Sequence, residues 1–334
     1  MKRFFDGAAV LLLAAIVLGA CASNQGAGFR APGQAPVRWT LQNAAYGLDK
    51  QQTLNIILPE GKNDVHAIVY IHGGFYTAGN KLWHPLFLTD FSEDHIFASI
   101  DYRLMRRWNN AVHIEEMMQD IDGALGKILE IAAERGVRVK DFILAGHSAG
   151  AHLALLYSYR YFPENDTRPI RIAACVSLAG PSDFTDDAGW SSMSYYGPGL
   201  AQKLGTLSWM GAELAGYPIE LTQADWTNQA NYAEYKDYIE AISPISYVYT
   251  TDKIPPTLLV HGIDDNIVPY SNSARLNEAL DKTSVPHSFI SPGGSGNNHM
   301  LGGAPGLVSA VIPIRYQNQS WVDQAKAWME SYLR

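Results

Sequence analysis

Residues 142 to 156 read FILAGHSAGAHLALL. An apolar run stops at Gly146-His147-Ser148-Ala149-Gly150, and a second apolar run begins with no linker between them. Strand-like residues that pass directly into helix-like ones constrain the chain to a strand covered by the helix after it. The glycines let the backbone turn sharply with little steric penalty, which lifts Ser148 above the strand end. The same turn sets the Ala149 amide at a helix N-terminus, where it can donate to a developing anion. A tight strand-to-helix turn with an incidental serine is the plain alternative.

The alternation of strand and helix continues in both directions. VRWTLQNAAYG and QTLNIILP read as an opening antiparallel pair. AIVYIHGG (67–74), IFASIDYRL (96–104), FILAGHS (142–148), RIAACVSLAG (171–180), PTLLVHG (256–262) and HSFIS (287–291) read as further strands. Apolar residues at three-four spacing, Ile114, Met117, Met118, Ile121, Leu125, Ile128, Leu129 and Ala132, predict a helix over about 111–135. Another helix starts at Ala149, and a last one runs from about Trp321 to Leu333. Near-continuous apolar strands separated by helices predict a mostly parallel sheet covered on both faces. The size of the chain suits one large α/β domain over residues 37–334.

Between Gly180 and Ile245 the alternation stops. A stretch of roughly 60 residues is too long for a plain loop in a compact domain. Residues 181–244 are therefore expected to form a mostly helical cap over the carboxyl ends of the strands. Trp190, Tyr195, Tyr196, Trp209, Tyr217 and Trp226 serve equally well to line an acyl or aryl pocket or to pack the cap itself.

The beginning of the chain has a different character. Lys2 and Arg3 precede an apolar run from Ala8 to Leu18, which has the layout of an export signal. Its ending, Leu18-Gly19-Ala20-Cys21, resembles the lipobox of bacterial lipoproteins. That resemblance implies a signal peptide over residues 1–20 and lipid attachment to the thiol of Cys21. The protein would then be exported and held to the cell envelope, facing the periplasm. Ala22, standing where an aspartate favours inner-membrane retention, tilts the expectation toward the outer membrane. Residues 21–36, rich in Gly, Ala, Pro and polar side chains, read as a flexible tether.

A net charge of -8 and a pI near 5.7 argue against a nucleic-acid partner, which recruits a basic patch. The second of the two cysteines, Cys175, lies in an apolar strand pattern and reads as a small core residue. With Cys21 lipidated it has no disulfide partner. No CxxC or HExxH spacing occurs, and neither a metal nor an organic cofactor is expected.

A serine hydroxyl is a poor nucleophile without a base to take its proton. His299 stands in the glycine-rich stretch PGGSGNNHML beyond the last strand, and His287 begins that strand. His299 is the better base, because a side chain within a strand packs or faces water. His147 cannot easily curl back onto Ser148, and His152, four residues on in a helix, reads as a packing residue. For the acid, Asp264 and Asp265 come after the strand ending at His261-Gly262, and Asp183 comes after the preceding strand.

From about residue 50 to its end the chain resembles the α/β-hydrolase fold. Within that fold it resembles the esterases grouped with hormone-sensitive lipase, feruloyl-type esterases and kynurenine formamidases. The residues that carry the likeness are His72-Gly73-Gly74-Phe75 with Gly79-Asn80-Lys81, Asp101-Tyr102-Arg103-Leu104, the GHSAG turn, Ser243-Pro244-Ile245, and His261-Gly262-x-x-Asp265-x-x-Val268-Pro269. The family's HG-x-x-D-x-x-VP pattern falls on Asp265 rather than Asp264, and the order Ser148, Asp265, His299 is the order used by this fold. The resemblance implies amide donors to the oxyanion from Gly74 or Phe75 together with Ala149, and a structural role for His72. Phe75 departs from a third glycine, as in formamidase-like relatives. The chemistry so implied is acyl transfer from small-molecule esters through an acyl-enzyme on Ser148. Arylformamidase or peptidase-like amidase activity on the same residues stays open, as does a non-catalytic binding module.

Overall fold

A computed structural model describes residues 38–105, 112–165, 171–192, 216, 236–303 and 314–334. The expected signal peptide, Cys21 and the tether lie outside the described residues. So does most of the expected cap, with Tyr195, Tyr196, Trp209, Tyr217 and Trp226.

Among the described residues, eight strands form one sheet: β1 (Arg38–Ala45), β2 (Thr53–Pro59), β3 (Asp64–Ile71), β4 (Ile96–Ile100), β5 (Arg138–His147), β6 (Ile172–Leu178), β7 (Thr257–Val260) and β8 (His287–Ile290). Their order is β1-β2-β4-β3-β5-β6-β7-β8. β1 pairs antiparallel with β2, and β2 antiparallel with β4; every other neighbouring pair is parallel. The opening antiparallel pair and the six later strands are those expected from the sequence.

Helices among the described residues include α1 (Leu86–Thr89), α2 (Ile114–Glu134), α3 (Ala149–Leu156), α4 (Phe162–Asn165), α5 (Asp187–Ser192), α6 (Tyr270–Leu280) and α7 (Gln319–Glu330). The inner strands β3 to β7 are buried on both faces, which explains why they read as near-continuous apolar runs rather than alternating. In β3, Ala67, Val69 and Ile71 join the core on the α2 and α3 side, whereas Ile68 and Tyr70 join the core on the α1 and α7 side. β5 divides in the same way, with Phe142 and Leu144 against Ile143 and Ala145. Each such fully buried aliphatic stabilises the fold by about 1.5–3 kcal/mol.

Two helices escape the sequence pattern. α1 is a single turn. α6 carries Asn272 and Ser273 among its buried positions, so its inward face is not an apolar stripe. Both polar residues hold loops at the top of the sheet. Asn272 accepts from the amides of Ser182 (2.9 Å) and Asp183 (3.0 Å) through Oδ1, and Ser273 contacts His261. Cys175 sits fully buried on β6, where burial pushes its thiol up to about 12, in keeping with a core residue.

The two roots of the long insertion meet. The amide of Ile245 donates to the Ser182 carbonyl (3.1 Å), and the amide of Phe184 donates to Ser243 Oγ (3.0 Å). Ser243-Pro244-Ile245 thus closes the base of the insertion beside the end of β6.

Candidate active site

Ser148 occupies the turn between β5 and α3 with φ 55° and ψ -124°. That backbone is unfavourable for any L-residue and persists where its surroundings over-determine it. Here the Ser148 amide donates to the Leu178 carbonyl (2.8 Å), while its own carbonyl accepts from the Ala151 (3.0 Å) and His152 (3.1 Å) amides. Gly150 is required by close approach, since a Cβ there would lie 2.1 Å from the Ile71 carbonyl oxygen. The helix therefore enters against the end of β3, and the serine stands over the middle of the sheet.

His299, on the loop beyond β8, points Nε2 at Ser148 Oγ across 3.0 Å. Its Nδ1 lies 2.7 Å from Asp265 Oδ2, a carboxylate oxygen that can only accept, so Nδ1 carries the proton and Nε2 is left to accept from the serine. Ser148 and His299 are 7% and 5% exposed, so the pair is sheltered from bulk water. Asp265 Oδ1 accepts the amides of Ile267 (2.8 Å) and Val268 (2.9 Å). Burial alone would raise the Asp265 carboxyl, but hydrogen bonds from His261 and His299, and their attraction, outweigh it and hold the group well below the ordinary carboxylate range.

The other acids and histidines that the sequence offers have different partners. Asp264 binds the side chain of Asn297 and sits on the solvent side. Asp183 is fully buried and pairs with Arg275 Nε at 2.7 Å. His287 contacts Asp281 (3.0 Å) and the Val285 carbonyl (2.8 Å). His152 donates from Nε2 to the Ile242 carbonyl (2.6 Å) and accepts the Tyr76 hydroxyl at Nδ1 (2.8 Å), a buried anchor rather than a base. His147 has more to do than the sequence suggests. Its Nε2 lies 2.8 Å from the His299 carbonyl, so it donates there and pins the loop that carries the base. Burial, then the neighbouring His299, pushes His147 down to about 4, and the ring is neutral.

The loop after β3 closes over the serine from the other side. A Cβ on Gly73 would lie 2.7 Å from the His147 carbonyl oxygen and 3.1 Å from Ser148 Cβ, so only a glycine passes there. Gly74 comes next at φ 121°, and then Phe75 and Tyr76 at φ 55° and 61°. Two successive non-glycine residues in the left-handed region cost roughly 1–2 kcal/mol each. Bonds around the loop offset that cost. The Gly74 carbonyl accepts the amides of Thr77 (3.1 Å) and Ala78 (3.0 Å), and the Tyr76 carbonyl accepts the Met105 amide (2.8 Å). At the far end, buried Lys81 Nζ binds Asp101 Oδ2 (2.6 Å) and donates to Thr53 Oγ1 (2.9 Å). His72 stacks on Tyr102 with ring centroids 4.5 Å apart and donates from Nδ1 to the Gly73 carbonyl (2.7 Å).

Asn297 is a residue that the sequence does not single out. Its side chain and carbonyl take the amides of Ile263 (2.8 Å) and Asp264 (2.9 Å), which zips the acid's loop to the base's loop. A lone asparagine in a glycine-rich stretch gives no signal of that kind. Among the described residues, no cluster of three or more His, Cys, Asp or Glu side chains is placed to hold a metal ion.

The sheet order, the strand–turn–helix at Ser148 and the crossovers define an α/β-hydrolase fold. Solved structures agree: esterase B from Lactobacillus rhamnosis superposes with a TM-score of 0.64 at 16% identity, covering 88% of this chain and 85% of that one. A carbohydrate esterase from gut microbiota superposes at 0.61 with 21% identity, over 88% and 96% of the two chains. Residues 54–280 match the BD-FAE family, and the chain belongs to it. Among curated relatives, a probable isoprenylcysteine alpha-carbonyl methylesterase of Arabidopsis thaliana is 24% identical over 75% of this chain and 49% of its own length. Esterase LipQ of Mycobacterium tuberculosis is 26% identical over 64% of this chain and 45% of its own. The chain thus spans about half the length of these two relatives.

Proposed function

We propose that this protein hydrolyses small carboxylic esters, with Ser148 as nucleophile, His299 as general base and then acid, and Asp265 holding the imidazole. The observation that carries the reading is the unbroken chain from Ser148 Oγ to His299 Nε2 (3.0 Å) and from His299 Nδ1 to Asp265 Oδ2 (2.7 Å). Ser148 Oγ attacks the ester carbonyl as His299 Nε2 takes its proton, and the ionised Asp265 stabilises the resulting imidazolium. His299 then protonates the departing alcohol, and water repeats the sequence on the acyl-enzyme. Amides of Gly74 or Phe75 and of Ala149 are the proposed donors to the tetrahedral oxyanion, each worth on the order of 10²–10³ in rate. Membership in the BD-FAE family and the esterase relatives support ester hydrolysis. Short acyl esters are the proposed substrates, a choice supported by a structural neighbour, esterase B, which is described as inhibited by a tributyrin phosphonate.

The lipobox-like Leu18-Gly19-Ala20-Cys21 supports an exported, lipid-anchored form in the cell envelope, with outer-membrane retention favoured by Ala22. Metabolic labelling with a radioactive fatty acid, lost on Cys21→Ala, checks that reading.

The direct test measures p-nitrophenyl acetate, butyrate and octanoate hydrolysis by the wild type and by Ser148→Ala. Turnover that drops by about 10⁴-fold or more in the variant, with unchanged circular dichroism, is the expected outcome. A wild type inert toward all three esters and unlabelled by a fluorophosphonate overturns the reading and leaves a binding module.

A further inference from the structure

Asp265 Oδ2 receives a second histidine besides His299. His261, the residue directly after β7, is fully buried and sets its Nε2 at 3.1 Å from Asp265 Oδ2 and 3.2 Å from the Val268 carbonyl oxygen. Both atoms are acceptors, so Nε2 carries a proton that the two share. On the other side of the ring, Nδ1 lies 2.7 Å from Ser273 Oγ on α6. In the neutral ring that nitrogen accepts, and Ser273 donates to it. The result is a continuous line of five side chains, Ser273–His261–Asp265–His299–Ser148.

We propose that His261 is a positioning residue for the reaction: its Nε2–H holds Asp265 Oδ2 in register with His299 and sets how strongly that oxygen draws on the imidazole, while Ser273 fixes the tautomer that can donate. The inference rests on the serine-hydrolase reading. A carboxylate oxygen shared by two donors spends less of its charge on either one. Without His261, the charge of Oδ2 falls on His299 alone, and the imidazole binds its proton more tightly. The groups facing His299 are Asp265, Ser148 and the neutral ring of His147, whose centroid is 5.0 Å away. Those facing His261 are Asp265, Ser273, the Val268 carbonyl and the Tyr270 ring, with the neutral ring of His147 near enough to interact with it as well. Among these, Asp265 is the group hydrogen-bonded to both histidines.

This line of contacts accounts for the serine on the buried face of α6. Ser273 is 1% exposed, and an alanine or leucine there would serve packing alone. A serine aimed at a histidine that is aimed at the acid makes sense as a fixed donor relay.

The test compares His261→Phe, which fills the space without a donor, with His261→Gln, whose amide N–H reaches the position of the ring Nε2. With p-nitrophenyl acetate, His261→Phe is expected to lose about tenfold in kcat, the scale of losing an outer partner of a functional histidine. The acid limb of its kcat/KM profile is expected to move up by about 0.5 pH unit, and that of His261→Gln to return toward the wild-type position. A merely structural histidine would lower kcat or stability and leave the acid limb where it was. An active His261→Phe with an unmoved limb overturns the proposal. Should His261→Phe fail to fold, long-range ¹⁵N–¹H correlation of the wild-type chain decides: a His261 proton on Nε2 supports the proposal, and one on Nδ1 alone contradicts it. An inert wild type in the same assay would instead count against the esterase reading, and the tautomer measurement would still judge the contact.

Discussion

Ser148 and His299 reach one another by different means. The serine is held by backbone. β5 lies between β3 and β6 in the middle of the sheet, the Ser148 amide is tied to Leu178, and Gly150 rests on the Ile71 carbonyl. The histidine stands beyond β8, a four-residue edge strand that is only partly buried. Its place is fixed by side chains: His147 on its carbonyl, Asp265 on its ring, and Asn297 tying its loop to that of the acid. A nucleophile set by turn stereochemistry is written in five adjacent residues. A base set by a network draws on residues from 147 to 299.

The largest test of this difference is pH. Burial pushes His72, His147 and His152 down to about 4 in the fold, against about 6.5 in an unfolded chain. Well above pH 6.5 both states are neutral and nothing is lost. As the pH falls from 6.5 toward 4 the unfolded chain takes up protons that the fold refuses, so stability declines, by up to about 4 kcal/mol per pH unit if all three titrate fully. Asp265 acts in a separate window. Its depressed carboxyl contributes stability above the ordinary carboxylate range and loses it only as the pH falls through and below about 4. Urea unfolding at pH 7.5, 6 and 5 is expected to show the histidine-linked loss. A stability constant over that range would mean that these rings are not buried neutral.

Substitutions then separate the two regions. Gly150→Ala drives a methyl to 2.1 Å from the Ile71 carbonyl oxygen, and a loss of about 3 kcal/mol or more together with activity is expected in urea unfolding and ester hydrolysis. Lys81→Met leaves Asp101 without its ammonium partner at the end of the loop carrying Gly74 and Phe75, for about 2 kcal/mol of stability by thermal melting, since the pair is not wholly dry. His147→Phe removes the donor to the His299 carbonyl. It is expected to lower kcat/KM by about tenfold, or 1.4 kcal/mol, with a smaller effect on the melting temperature. Cys175→Ala, on the core side of β6, should cost about 1 kcal/mol and leave kcat/KM unchanged.

The strands, the serine turn and the long helix are legible in the sequence because each has a local cause: apolar runs, glycines at a forced close approach, and three-four spacing over Ile114–Glu134. Asp265 and His299 are legible by pattern and order. Their supports are not. His147 and His261 stand inside recognisable motifs, yet nothing in GHSAG or in HG-x-x-D tells which atom each ring contacts. α6 goes unseen because Asn272 and Ser273 replace the apolar residues that would have marked its inner face. Contacts across 150 residues, such as His147 to His299, exist only once the sheet brings the ends of β5 and β8 to one side.

Transfer of the acyl group to Ser148 is the step on which the chemistry turns. Acid quenching of the wild type during p-nitrophenyl acetate turnover, and then peptide mass mapping, tests that step directly. An acetyl group confined to Ser148, and absent from Ser148→Ala, is the expected result. Sustained turnover with Ser148 unmodified, or an acetyl group on another side chain that persists in Ser148→Ala, would contradict it.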